Sequence, residues 1–394
     1  MRIGIDCRNI LNQKGEVAGV GHYTYFLVKN ILKTDKKNEY FLYFDYKMAN
    51  KTKEFEQKNV QIKFFPFSQY KRYMPFSYSH MLISAVLIKD KLDVFHAPAY
   101  ACPLTYPGKI VLTVHDLAIY RHPSWFPSGQ SFSTKILVPK SIKKAVRIIA
   151  VSKATKRDIM KLFKTPSDKV SVVYEGVVPQ KSIGKTKSVS KTIIQRKYKI
   201  GEKYLFFIGT IEPRKNLVAL IKAYNSLLLK NYKKFKDYDL VIAGKKGWKY
   251  EEIFKTIKDQ KFNYKIRFLN YVSQEHKVAL MKNATCFVFP TLYEGFGLPI
   301  AEAMSMGVPV ITSKVSSMPE VSGDAALLID PNKIVDIEKA LAKVLANKRL
   351  REKMSKAGIS QAKKFTWAKA AKETIKVYQD IGKKKEKKVK EKKK

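Results

Sequence analysis

Cys286-Phe287-Val288-Phe289-Pro290-Thr291-Leu292-Tyr293-Glu294-Gly295-Phe296-Gly297-Leu298-Pro299-Ile300-Ala301-Glu302-Ala303-Met304 is the stretch whose reading decides the fold. A short apolar run without alternation is a strand buried on both faces, and Pro299 suits the start of the helix that follows. The same punctuation recurs to either side. Apolar runs at residues 109–114, 148–151, 204–209, 240–244, 266–269 and 308–312 are separated by longer amphipathic stretches. Strands alternating with helices build βαβ units, so the chain is α/β, with parallel sheets covered by helices on both faces.

At 394 residues the chain exceeds the size at which one core keeps growing, and two doubly wound domains are expected. A polar, Lys/Ser-rich stretch marks a linker at residues 181–203, between an N-terminal domain at 1–180 and a C-terminal one at 204–364. Residues 365–382 read as a C-terminal helix packing back on the first domain. The run 383–394, nearly all Lys and Glu, reads as a solvated, disordered tail. Open α/β sheets bind ligands beyond the carboxyl ends of their strands, so two facing sheets would place the site in a cleft between them.

Lys and Arg number 77 against 33 Asp and Glu, a net charge of +44 that attracts phosphates, anionic lipid or nucleic acid. The lysines are spread over the whole length, which fits a general basic background better than one docking face. Three cysteines, Cys7, Cys102 and Cys286, lie far apart without metal-ligand spacing, so neither a disulfide framework nor zinc is indicated. The first residues read as a strand and not as a secretory signal. The longest apolar run, residues 81–88, is much shorter than the ~20 residues of a membrane span. A cytoplasmic location, or a peripheral one at the cytoplasmic face of a membrane, is expected.

Chemistry concentrates at strand ends. Gly295 and Gly297 let backbone N–H groups point inward at a helix N-terminus, a ready site for a diphosphate. Glu294 and, eight residues on, Glu302 would repel phosphates, so hydroxyls of a sugar or ribose are their fitting partners. Phosphates held without a metal need fixed cations. Gly209-Thr210-Ile211-Glu212-Pro213-Arg214-Lys215-Asn216-Leu217 supplies an Arg fork and a Lys point charge directly after a strand. Gly15-Glu16-Val17-Ala18-Gly19-Val20-Gly21-His22-Tyr23-Thr24 is a glycine-rich loop lacking the third glycine of the dinucleotide fingerprint. The strand at 109–114 ends in His115-Asp116-Leu117.

Together these stretches resemble the retaining glycosyltransferases of family 4, with the GT-B fold of two Rossmann-like domains facing across a cleft. Glu294 to Glu302 looks like that family's acid-x7-acid motif. Residues 307–312, 316–321 and 323–326 continue the likeness, which runs from Ile3 to about Trp367. The resemblance implies that Glu294 contacts the donor sugar, Glu302 the ribose, and the backbone of Gly295, Phe296, Gly297 and Leu298 the phosphates. It gives Arg214 and Lys215 the diphosphate and the departing nucleotide. It puts His115 beside the transferred sugar with Asp116 in support, Gly19 and Gly21 at the donor phosphate or acceptor, and Val272 near the base. It further implies transfer with retention, no enzyme nucleophile, and no metal or other cofactor. Similarity to bacterial mannosyltransferases and rhamnosyl- or glucosyltransferases of surface polysaccharides leans toward mannose from GDP-mannose. The partners implied are a nucleotide-sugar donor and a saccharide or lipid-linked saccharide acceptor. Aromatic and basic residues at 69–76 and 132–149 suit an anionic head-group surface.

Rival chemistries find less support. Asp237-Tyr238-Asp239 precedes a strand instead of ending one, which disfavours a metal-bound nucleotide. There is no Gly-x-Ser-x-Gly elbow and no Walker loop. An epimerase or sugar-phosphate synthase on the same fold remains an alternative. So does a basic nucleic-acid-binding protein, although no base-reading motif occurs and no nucleic acid is expected as a partner.

Overall fold

The computed structural model of the chain describes residues 1–11, 19–65, 76–129, 132–178 and 189–391. The chain forms two compact units, Met1–Leu117 with Gly129–Gly176 and Thr366–Lys394, and Ala118–Ser128 with Val177–Phe365.

The first unit holds a seven-stranded sheet among the described residues, in the order β3-β2-β1-β4-β5-β6-β7. Its strands are β1 (Arg2–Asp6), β2 (Glu39–Asp45), β3 (Val60–Phe65), β4 (Val94–Ala97), β5 (Ile110–Val114), β6 (Arg147–Ala150) and β7 (Val170–Val172). Every pairing is parallel; Ile5 of β1 sits between Leu42 of β2 and His96 of β4. β4 and β5 are buried along their whole length, as continuous apolar strands covered on both faces should be. The second unit's six-stranded sheet runs β10-β9-β8-β11-β12-β13, again all parallel. Here the strands are β8 (Lys203–Ile208), β9 (Tyr238–Ala243), β10 (Ile266–Phe268), β11 (Cys286–Phe289), β12 (Val310–Ser313) and β13 (Ala326–Ile329). Strand order reverses at β1/β4 in one sheet and at β8/β11 in the other, and such switch points are where doubly wound folds bind ligands.

Three segments differ from the sequence expectation. Residues 118–128, expected in the N-terminal domain, pack in the second unit, where the Trp248 indole N–H donates to the Trp125 carbonyl at 2.7 Å. Part of the expected linker is the helix Lys191–Tyr198, capped by Ser190 and anchored by fully buried Ile194. The C-terminal helix spans Trp367–Glu391, so the backbone is helical through most of the Lys-rich run expected to be disordered. Lys and Glu are good helix formers, and a helix already nucleated by packed turns propagates at little cost. This helix joins the first unit, where Trp367 stacks on Phe26 of the helix Val20–Thr34.

Candidate active site

The second unit builds its site at its switch point. After β8 the chain turns through a short 3-10 helix, Pro213–Lys215, and Asn216 takes a left-handed conformation (φ 59°) before the helix Leu217–Phe235. The Asn216 amide donates to the carbonyls of Pro290 and Pro331, at 3.1 and 2.7 Å, which ties the turn to the loops after β11 and β13. The loop after β11 is held in return. Leu292 N–H donates to the Arg214 carbonyl at 2.9 Å, and the Ser317 hydroxyl has the carbonyls of Glu294 and Phe296 within 3.0 Å.

These ties bring Arg214, Lys215 and Glu294 together. Arg214 Nη1 lies 2.8 Å from Glu294 Oε2, while Lys215 Nζ pairs with Glu294 Oε1. The other edge of the guanidinium donates to Glu212 Oε1 from Nε and Nη2, at 3.0 and 2.7 Å. Two cations and two carboxylates thus form one nearly buried cluster, with Glu212 1% and Lys215 7% exposed. Burial pushes the Glu294 carboxyl up, yet the combined pull of Arg214 and Lys215 holds it below the ordinary carboxylate range. Lys215 moves down, through burial first and Arg214 second, against the pull of Glu294. The asymmetry follows from the neighbours: Glu294 faces two cations, whereas Lys215 has a like charge beside it.

Downstream, Gly297 (φ 98°) caps the helix Leu298–Ser305, with Pro299 in its first turn. Glu302 lies one turn in, and Lys277 Nζ approaches both its carboxylate oxygens at 2.7 Å. Lys277 projects from the helix Gln274–Lys282, whose cap Ser273 follows the buried Val272. Glu302 and the Val272 turn are therefore linked through one helix.

His115, Asp116, Gly19 and Gly21 belong to the first unit. His115 follows β5 and is buried, with its Nε2 2.8 Å from the Pro98 carbonyl and its Nδ1 3.4 Å from Glu175 Oε1. A carbonyl only accepts, so Nε2 carries a hydrogen. The Tyr23 ring and the imidazole meet in a T-shaped contact, centroids 4.6 Å apart at 88°. The Asp116 backbone N–H donates to the Tyr100 hydroxyl at 3.2 Å, and that hydroxyl reaches Asp116 Oδ2 at the same distance. Gly19 (φ 52°) precedes the helix Val20–Thr34, and a Cβ at Gly21 would fall 2.4 Å from the Ile10 carbonyl oxygen. Gly15 to Ala18, and residues 69–75 of the expected acceptor surface, lie outside the described residues.

With this geometry in place, comparison with known proteins decides the family. Residues 190–361 match the family model for glycosyl transferases group 1, and residues 17–181 that for glycosyltransferase family 4. O-antigen chain mannosyltransferase B of Escherichia coli is 30% identical over 377 residues, 93% of this chain and 97% of that protein. The chain belongs to the GT-B glycosyltransferases of group 1, family 4. The fold of this glycosyltransferase is shared at low identity. WaaG, a glycosyltransferase involved in lipopolysaccharide biosynthesis, superposes with TM-score 0.70 at 14% identity, covering 95% of this chain and 99% of that one. Sucrose-phosphate synthase from Thermosynechococcus elongatus gives 0.72 at 15%, covering 96% and 98%.

Several residues of the glycosyltransferase site escaped the sequence reading. Glu212 stands inside the Arg-Lys frame, and its place two residues before Arg214 was a usable signal. Glu175 and Thr291 stand inside stretches that resemble the family, but only the structure shows their partners, Thr291 Oγ1 lying 3.2 Å from Glu294 Oε1; Lys277 had no signal, because its role rests on a pairing across elements. Asp239 proves to be an anchor, accepting from Gly201 N–H at 2.7 Å and pairing with Lys265 at 3.4 Å. Among the described residues no cluster of three His, Cys, Asp or Glu could hold a metal, and no helix is long and apolar enough to cross a membrane. All three cysteines are buried and unbridged.

Proposed function

We propose that this glycosyltransferase moves mannose from GDP-mannose to a saccharide or lipid-linked saccharide acceptor of a surface polysaccharide, with retention and without a metal. The observation that carries the reading is the clamp of Arg214 and Lys215 on Glu294 at the β8/β11 switch point, beside the start of the helix Leu298–Ser305. Fixed cations and helix N–H groups suit a diphosphate, whose growing charge they stabilise as the glycosidic bond breaks. Glu294, oriented by the clamp, suits a sugar hydroxyl, and Glu302 suits the ribose. The acceptor hydroxyl then attacks the oxocarbenium-like sugar on the face the diphosphate leaves, and the leaving phosphate takes the proton. His115 steadies the sugar as positive charge develops. Mannose is supported by the likeness to O-antigen chain mannosyltransferase B of Escherichia coli.

A donor screen with the purified protein tests this, with nucleotide release and product anomers read by NMR in the presence of chelator. Turnover of GDP-mannose with retention, falling at least a hundredfold in Glu294→Ala and Arg214→Ala, is expected. Full activity in both variants overturns the site. Exclusive use of another donor overturns the mannose assignment, and an isomerised nucleotide-sugar as sole product overturns transfer.

A further inference from the structure

The first unit contains a buried hydrogen-bonded chain that the reaction as described does not use. Tyr378 lies on the C-terminal helix, fully buried, with its hydroxyl 2.6 Å from His96 Nδ1 on β4. His96 Nε2 is 2.8 Å from Thr113 Oγ1 on β5, and Thr113 Oγ1 is 3.3 Å from the Tyr23 hydroxyl on the helix Val20–Thr34. His96 and Thr113 are fully buried and Tyr23 is 2% exposed. The ring of Tyr23 is the one in T-shaped contact with His115. Tyr23 also meets Trp367 at the start of the C-terminal helix, centroids 5.8 Å apart. Polar groups with no exposure are costly unless each finds a partner, so this chain is satisfied only in one arrangement of its side chains.

We propose that Tyr378 is a positioning residue for glycosyl transfer, fixing the His115 imidazole through His96, Thr113 and Tyr23. The inference rests on the role given to His115 above. A neutral imidazole has one donor and one acceptor nitrogen, so His96 links two hydroxyls without adding charge; burial holds its protonated form down to about 3, with His115 adding to the effect. Thr113 thereby fixes the far end of the Tyr23 phenol, and the rigid ring transmits that constraint to its T-shaped contact with His115. The opposite side of the imidazole is set by the Pro98 carbonyl and Glu175. Removing the Tyr378 hydroxyl leaves the aromatic packing in place and frees His96 to turn.

The test combines Tyr378→Phe, His115→Ala and the double variant in the full-length enzyme, with steady-state kinetics and 15N NMR of labelled histidines. With six histidines in the chain, the His115 signal is identified by its loss in His115→Ala. Tyr378→Phe is expected to lower kcat about tenfold with donor KM within twofold, since a small misplacement of a reacting partner costs rate and not binding. It should shift the His115 ring 15N signals and add nothing to the loss in His115→Ala. A Tyr378→Phe enzyme with wild-type kcat, unmoved His115 signals or an additive loss overturns the inference. Wild-type kcat in His115→Ala instead overturns the role of His115, whatever Tyr378→Phe does.

Discussion

Lys277 holds the second carboxylate, Glu302, in an ion pair. Its ammonium group lies 2.7 Å from both oxygens, and with Glu302 12% and Lys277 19% exposed the pair is screened little by solvent. A carboxylate pinned this way keeps one orientation, which suits the ribose contact proposed for Glu302. Lys277→Met, which keeps the stem and removes the charge, is expected to weaken GDP binding about tenfold, the order of one charge-assisted hydrogen bond. Because the loss is routed through the ribose, 2′-deoxy-GDP should weaken less than GDP. Calorimetric titration of both nucleotides reads this, and equal losses for the two would remove Lys277 from ribose recognition. The carboxylates and the Arg-Lys pair were legible in the sequence because each sits in a fixed frame beside a strand. Their partners were not: nothing in the order of residues says that Lys277 meets Glu302 or that Glu175 meets His115.

At the scale of elements, what holds the site is turn geometry. Gly297 sits at φ 98°, and a Cβ there would come within 2.3 Å of Met318 Cε on the buried helix Met318–Ser322. Met318 can yield, but the positive φ cannot be relieved without moving the start of the helix Leu298–Ser305. Gly297→Ala is therefore expected to cost about 1–2 kcal/mol of stability in the second unit. Donor KM should rise because the helix N-terminus shifts. Thermal unfolding with and without nucleotide checks both, and an unchanged melting profile together with unchanged KM would show the turn to be tolerant. The strands that frame the two turns, β8 and β11, were readable as apolar runs without alternation. β2 was not singled out, although Tyr and Phe in Glu39–Asp45 favour a strand as β-branched residues do. β7 and β13 are three and four residues long, with half-buried or exposed positions, which leaves little pattern to read. The helix Lys191–Tyr198 hides in polar sequence because a single residue, Ile194, anchors it.

For the whole molecule, the two-domain α/β plan was legible from length and periodicity, but membership in each unit was not. Residues 118–128 and the C-terminal helix are assigned by contacts far apart in sequence, such as Trp248 with Trp125 and Tyr378 with His96. Each unit has its own sheet and core, so a single unfolding free energy does not describe the chain, and two transitions are expected. Acid should separate them. His96 is buried in the first unit, and its protonated form is suppressed from an ordinary value of 6.5 to about 3, by desolvation first and by neighbouring His115 second. The unfolded chain then binds a proton that the folded unit refuses between those values. Stability from this group is complete above about pH 6.5 and is lost as pH falls toward about 3, up to roughly 5 kcal/mol. In the second unit His276 is also lowered, by burial first and by neighbouring Lys197 second, but it is only partly buried. Calorimetry at pH 7, 5.5 and 4.5 should show the first unit's transition falling faster. His96→Gln, which cannot titrate, should start lower at pH 7 and decline less steeply, whereas equal slopes in variant and wild type would place the acid sensitivity elsewhere.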